Sequence, residues 1–294
     1  MIVTNLKGGL GNQLFQYATS KALSLSLGHD LKVTNSTPRF FSSSRQIVLT
    51  DIFNLQLEYS SFFTLSRVLR LPFPSFLSDI LSKKRFTSFH PRNFIVEPSY
   101  NYWPELFNLK NKNIFLYGYW QSYKYFIEFF DFFKKDFLFN EIFLNENIKN
   151  LYLSQIKHEN SISIHFRRGD YVTNNSSNNF HGVCDMFYYK KSVAYIIQKV
   201  HRPHFFIFSD DIQWVKSNLT FIDCPTTYVE GNSDIVDFWL MSLCKHNILA
   251  NSTFSWWAAW LNANKNKIIT APRRWFVNPY ISTDDLIPLD WHRF

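Results

Sequence analysis

The chain has 294 residues, 46% of them apolar, enough to bury a sizeable core and to fill two domains of roughly 150 residues each. Its 31 basic and 23 acidic residues leave a net charge of +8, which suits an anionic ligand, an anionic membrane face or nucleic acid, but no RNP motif, zinc finger or helix-turn-helix signature accompanies the charge, so no nucleic-acid partner is expected. Cys184, Cys224 and Cys244 lack CxxC spacing, the opening MIVTNLKGGLGN is no secretory signal, and no apolar run approaches the roughly 18 residues of a membrane span, so a cytoplasmic protein with reduced thiols is expected.

Ile2 to Leu6 reads as a strand, followed by a tight turn through Gly8, Gly9 and Gly11. Asn12 is expected to cap a helix from Gln13 to Leu27 that Gly28 ends, and Leu31 to Thr34 is the next strand. Residues 36 to 110 show no period; within them Phe62 to Leu81 alternates apolar and basic residues until Pro72 and Pro74 break it, a stretch able to touch a membrane surface. The dense basic run Lys83-Lys84-Arg85 reads as a solvated loop. Ile114 to Tyr119 is expected as a strand and Tyr123 to Phe133 as an aromatic helix; the 32 Phe residues of the chain read as core filling. The polar stretch from Asn140 to Asn160 is the candidate linker, which gives domains 1–156 and 157–294.

The second half alternates strictly. Strands are expected at Ser161–Phe166, His204–Phe208, Thr226–Val229, Asn247–Ala250 and Lys267–Thr270, and helices at Met186–Val200, Ile212–Leu219, Asp234–Cys244 and Phe254–Asn262. That order implies a parallel sheet with helices on both faces, and ligands of such sheets bind beyond the carboxyl ends of the strands.

Polar clusters lie at those ends. After SISIHF comes Arg167-Arg168-Gly169-Asp170, and strand alternation puts Arg167 on the face of His165 and Arg168 on the other. A guanidinium fork matches phosphate oxygens, so Arg167 reads either as a pyrophosphate ligand or as half of a structural pair with Asp170. Ser252 and Thr253 begin a helix, as an anion site or as a plain cap. Asp210 can accept hydrogen bonds from the N1–H and amino group of a guanine, and Asp211 is expected to cap the next helix. The chain has no Asp-x-Asp, the usual mark of a metal-dependent glycosyltransferase. Asp284-Asp285 reads as surface, and His201 and His204 as loop residues.

Taken in order, GGLGNQLFQYA at 8–18, SIHFRRGDYV at 163–172, FSDD at 208–211 and DFWLMSLCKHNILANSTFSWWAAWLN at 237–262 resemble the α-1,2-fucosyltransferases of glycosyltransferase family 11 in bacterial form, over nearly the whole chain. The HxRRxD pattern is shared with α-1,6- and protein O-fucosyltransferases and marks the donor site. The resemblance implies an α/β, GT-B-like fold of two Rossmann-like domains facing across a cleft, with acceptor contacts in the first domain and GDP-fucose in the second. It implies donor contacts from Gly11, Asn12, His165, Arg167, Arg168, Asp210, Ser252, Thr253 and Phe254, and catalytic roles for Arg167, Asp170 and Asn12. The implied reaction is an inverting transfer of L-fucose from GDP-fucose to the 2-hydroxyl of a terminal β-galactose, in surface-polysaccharide or oligosaccharide synthesis, with no metal and no other cofactor. The basic surface allows peripheral contact with the inner membrane face. Transfer to a different hydroxyl, or glycan binding without catalysis, are the rival readings.

Overall fold

The computed structural model describes residues 1–35, 46–70, 92–140 and 148–294, with backbone alone at 149 and 150. The basic run at 83–85 and the Pro-broken end of the 62–81 stretch lie outside the described residues. The chain forms two compact units, Met1–Leu138 with Asp284–Leu286, and Phe139–Thr283 with Ile287–Phe294.

The first unit is built on β1 (Ile2–Asn5), α1 (Leu10–Leu27), β2 (Leu31–Thr34), α2 (Leu49–Ile52), α3 (Phe62–Leu69), β3 (Phe94–Val96), β4 (Ile114–Tyr117) and α4 (Phe130–Asp136). Its strands are all parallel, in the order β2-β1-β4-β3. Helix α1 is buried on nearly every side, so its polar residues must find partners inside. Gln16 Oε1 accepts the Lys7 N–H at 2.8 Å, while Gln13 donates to the carbonyls of Gly8 and Gln46 and accepts the Val48 N–H. The two glutamines of GNQLFQ therefore sew the glycine turn to the helix. The helix starts earlier than the sequence suggests: Gly9 is its N-cap and Asn12 lies in its first turn, because the glycine's extended backbone feeds the helix without a side-chain cap. Gly28 ends it in the left-handed region, φ +63°, as expected.

The expected aromatic helix at 123–133 is instead two 3₁₀ turns, Tyr123–Tyr125 and Ile127–Phe129, before α4. Phe126 leaves helical geometry to enter the core, where its ring meets Phe15 at 5.9 Å and Phe133 at 6.1 Å, and Phe133 and Phe137 stack at 5.4 Å. These Phe residues are core, as the composition suggests. Asp285 is not a bare surface acid: its carboxylate accepts the Tyr102 N–H at 2.7 Å and pairs with Lys124 at 2.5 Å.

The second unit holds β5 (Asn160–Phe166), β6 (Pro203–Ser209), β7 (Thr226–Tyr228), β8 (His246–Ile248), β9 (Ile269–Ala271) and β10 (His292–Arg293). Its helices are α5 (Ser154–His158), α6 (Gly169–Thr173), α7 (Asn175–His181), α8 (Met186–Lys199), α9 (Ile212–Asn218), α10 (Asp234–Leu243) and α11 (Thr253–Leu261). The sheet is parallel throughout, in the order β10-β9-β8-β5-β6-β7. From β5 the chain first winds out through β6 and β7, then returns to the other side of β5 for β8. The direction of winding therefore reverses between β5 and β8, the place where open α/β sheets admit ligands at their carboxyl ends.

Ile162, Ile164, Phe166, Phe205 and Ile207 fill the layer between this sheet and the helices around it. Trp256, Trp257 and Trp260 of α11 are buried. Asn247 and Asn262 join that helix to the sheet: Asn247 donates to Ser163 Oγ at 2.7 Å, and Asn262 donates to Asn247 Oδ1 at 2.7 Å. Among the described residues no helix is long and apolar enough to cross a membrane.

Candidate active site

The carboxyl end of β5 delivers Arg167 and Arg168 to opposite surroundings, as strand alternation requires. Arg167 forks between two carboxylates, Asp170 at 2.5 Å and Asp210 at 3.0 Å, with its guanidinium 5.5 Å from the Tyr171 ring centre. Arg168 turns the other way, lies 3.5 Å over the Trp214 ring and pairs with Asp211 at 3.1 Å. Asp211 also caps α9 by accepting the Trp214 N–H. The expected cap is therefore present, and the same Asp211 braces Arg168.

Asp210 is turned inward to its own loop. One oxygen accepts the Arg168 N–H at 2.8 Å and the other pairs with Arg167. A Cβ on Gly169 would stand 2.6 Å from Asp210 Oδ2, so glycine is needed there to let the carboxylate approach the 167–170 backbone. A carboxylate has about four acceptor positions, so further donors remain possible, but its first task is to hold Arg167.

His165 is buried and its Nδ1 has no hydrogen-bond partner among the described residues. Burial, aided by the Arg167 charge, pulls its pKa down to about 3, so the imidazole is neutral. Its ring lies 5.6 Å from Phe254, which in turn meets Phe238 at 5.3 Å. Ser252 caps α11, accepting the Phe254 N–H at 3.3 Å, and Thr253 is the first helical residue. The Tyr171 hydroxyl donates to the Asn251 carbonyl at 3.3 Å, tying the β5 loop to the β8 loop. Thus His165, Arg167, Arg168, Asp170, Asp210, Ser252, Thr253 and Phe254 form one neighbourhood at the reversal of the sheet. Gly11 and Asn12 belong to the first unit, in the opening turn of α1.

Sequence reasoning missed Asp237. It sits in the first turn of α10 between the buried Val236 and Phe238, accepts from Asn232 at 3.2 Å, and is raised to about 7 chiefly by burial. The available signal was an acid inside the otherwise apolar run DFWLMSL. Trp214, the platform of Arg168, was missed as well. Among the described residues no group of three or more His, Cys, Asp or Glu side chains is placed to hold a metal ion.

Two parallel sheets with loops and helices at their carboxyl edges give an α/β protein of the GT-B fold class. The chain belongs to glycosyl transferase family 11, whose family model matches residues 1–293. An alpha-1,2-colitosyltransferase of Escherichia coli is 34% identical over 100% of this chain and 98% of its own length. The O-antigen biosynthesis glycosyltransferase WbnK of the same organism is 34% identical over 92% of this chain and 93% of its own. The NodZ α-1,6-fucosyltransferase of Bradyrhizobium, soaked with GDP-fucose, shares the fold with a TM-score of 0.51 at 15% identity, covering 88% of this chain and 92% of that one.

Proposed function

We propose that this enzyme transfers L-fucose from GDP-fucose to the 2-hydroxyl of a terminal β-galactose with inversion, in surface-polysaccharide or oligosaccharide synthesis. The new bond forms from the acceptor oxygen to the anomeric carbon as the bond to the β-phosphate breaks. The electron pair leaves on GDP and the hydroxyl proton is released. The observation that carries the reading is Arg167, whose fork stands beside a neutral buried histidine and the start of α11 at the reversal of the sheet. In this reading the second unit binds the donor, Gly11 and Asn12 contact the donor as well, and the rest of the first unit supplies acceptor contacts.

Charge decides how the donor is held. Arg167 and Arg168 face Asp170, Asp210 and Asp211, so this group of five is net −1 before a diphosphate arrives. Asp170 is the more exposed partner of Arg167, at 40% against 26% for Asp210, and is the one a phosphate displaces. Asp210 then keeps the guanidinium in place through one N–H, while four of its five N–H donors are left for phosphate oxygens. Asp170 is a docking partner of Arg167 and is not assigned as the general base. The half-buried carboxyl of Asp237 is a second candidate, beside Asp210, for the paired donors of a guanine edge.

Charge on departing GDP is stabilised in this reading by Arg167, Ser252, Thr253 and the α11 N-terminus, the work a metal ion does in other transferases. Activity is therefore expected to survive exhaustive EDTA treatment; loss that manganese or magnesium restores overturns this part. The net charge of +8, with exposed Phe62, Phe63, Arg67 and Arg70 on or beside α3, supports peripheral contact of a cytoplasmic enzyme with an anionic membrane face.

A second donor is favoured by a specific observation, the 34% identity to a transferase of colitose, which is fucose without its 3-hydroxyl. The test is incubation with GDP-fucose or GDP-colitose and a panel of β-galactosides, followed by linkage analysis. An α-1,2-fucosylated galactose supports the reading. Transfer from GDP-colitose alone moves it to the second donor, and another linkage or no transfer from either donor overturns it.

A further inference from the structure

The carboxyl edge of the first unit's sheet holds a half-buried acid that the proposed chemistry does not use. Glu97 follows β3 directly, and its two oxygens accept the N–H groups of Tyr119 at 2.7 Å and Trp120 at 2.8 Å. A carboxylate inserted into consecutive N–H groups fixes a loop much as a ligand fixes a nest, and charge-assisted bonds of this kind are the strong ones. Burial pushes its pKa up, opposed by these same N–H donors and by the nearby Lys7 ammonium. That ammonium stands 3.9 Å from the Tyr117 ring centre and 4.7 Å from that of Tyr119.

The loop that Glu97 holds is constrained at every residue. Gly118 packs so closely that a Cβ would meet Glu97 Cβ at 2.4 Å. Trp120 is fully buried with φ +56°, a left-handed conformation costly for a bulky side chain, so the surroundings must hold it there. One residue on, buried Gln121 donates from Nε2 to Asn12 Oδ1 at 2.9 Å. This bond sets which way the Asn12 amide points, with its oxygen towards Gln121. On the other side, a Cβ at Gly8 would stand 2.8 Å from Asn12 Nδ2, so the glycine turn closes around the same side chain.

We infer that Glu97 is a positioning residue for Asn12: through the 118–121 loop and Gln121 it fixes the orientation of the amide at the opening of α1. This rests on the reading above that Asn12 takes part in the transfer. The contacts run from the carboxylate to the backbone N–H groups of Tyr119 and Trp120, along the loop to the Gln121 side chain, and to Asn12, all inside the first unit. The amide is thus preorganised before any substrate arrives, which is what a group acting on developing charge requires.

The test is a double-mutant cycle on the full chain. Glu97→Gln keeps the shape but replaces one acceptor oxygen with an amide donor aimed at a backbone N–H. Gln121→Met removes only the donor to Asn12 and serves where Glu97→Gln does not fold. Either is expected to lower kcat by about 10²-fold, the effect of an ångström-scale misplacement, with KM for the donor unchanged. In the Asn12→Ala background neither is expected to lower kcat further, because there is no amide left to orient. Losses that multiply in that background overturn the inference, as does full activity of Gln121→Met. If Asn12→Ala alone keeps wild-type activity, the role of Asn12 in the proposed reaction fails, and the cycle reports that separately.

Discussion

Two arginines adjacent in sequence meet opposite environments, and that difference can be measured. Arg167 uses the planar fork twice, once toward Asp170 and once toward Asp210, and lysine cannot copy two divergent bonds with one point charge. Arg168 spends its guanidinium on the Trp214 face and on Asp211. A cation over an indole contributes on the order of 0.5–2 kcal/mol, and most of that belongs to the folded loop rather than to a substrate. Arg167→Lys is therefore expected to lower kcat by about 10²–10³-fold with the circular dichroism spectrum unchanged, the usual loss of one preorganised donor. Arg168→Lys is expected to lower the unfolding temperature and to cost less in kcat. Steady-state kinetics with melting curves decide it. If Arg168→Lys folds normally and loses more kcat than Arg167→Lys, the donor site must be rebuilt around Arg168.

At the scale of elements, α11 carries its own test. Ser252 caps it by accepting the Phe254 N–H, and the three tryptophans behind are locked into the core. Replacing such a cap with alanine costs about 1 kcal/mol, while glycine costs only a few tenths. Ser252→Ala and Ser252→Gly are thus expected to separate in stability. Both are expected to weaken GDP binding alike, because both lose the hydroxyl proposed to meet the phosphates. Equal GDP affinity in wild type and both variants, by calorimetry, makes Ser252 a cap and nothing more. The strands and helices of the second unit were readable because its apolar runs are short, rich in Ile and Phe, and separated by helix-length segments. By contrast, α7 was hidden in the polar string Asn174-Asn175-Ser176-Ser177-Asn178-Asn179. It forms because Asn174 caps it on the N–H groups of Ser176 and Ser177, and because Phe180 and His181 pack against Phe276 and Tyr171. The motifs marked the candidate site residues, but the partners of their acids were not local information. Asp210 reaches Arg167 from another strand, and Asp285 reaches Lys124 across 161 positions of chain. No pattern of neighbours in sequence encodes such pairs.

For the whole molecule, the buried titratable groups set how stability responds to acid. Burial holds His165 at about 3 and His181 at about 4, against an ordinary value near 6.5. The unfolded chain binds protons at these residues as pH falls below about 6.5, and the folded chain does not, so both drain stability on acidification through the window down to their folded values. Asp237 acts in the opposite sense. Its folded pKa of about 7 lies above the ordinary 3.8, so between those values the folded chain holds the proton the unfolded chain has lost, and stability rises as pH falls. Glu97, also raised by burial, adds to that opposing side. Each proton fully displaced changes the slope by at most about 1.4 kcal/mol per pH unit. The folded protein is therefore expected to show a shallow acid dependence that single substitutions unmask. His165→Gln removes one drain, so urea denaturation midpoints between pH 6.5 and 4.5 should fall less than in wild type. Asp237→Asn removes one support, so the same midpoints should fall more. The slopes, not the absolute stabilities, carry the comparison, because either substitution also disturbs packing. Parallel slopes in wild type and both variants would show that neither group is shielded from solvent as its burial implies. The neutral imidazole beside Arg167, on which the donor site is built, would then have to be given up.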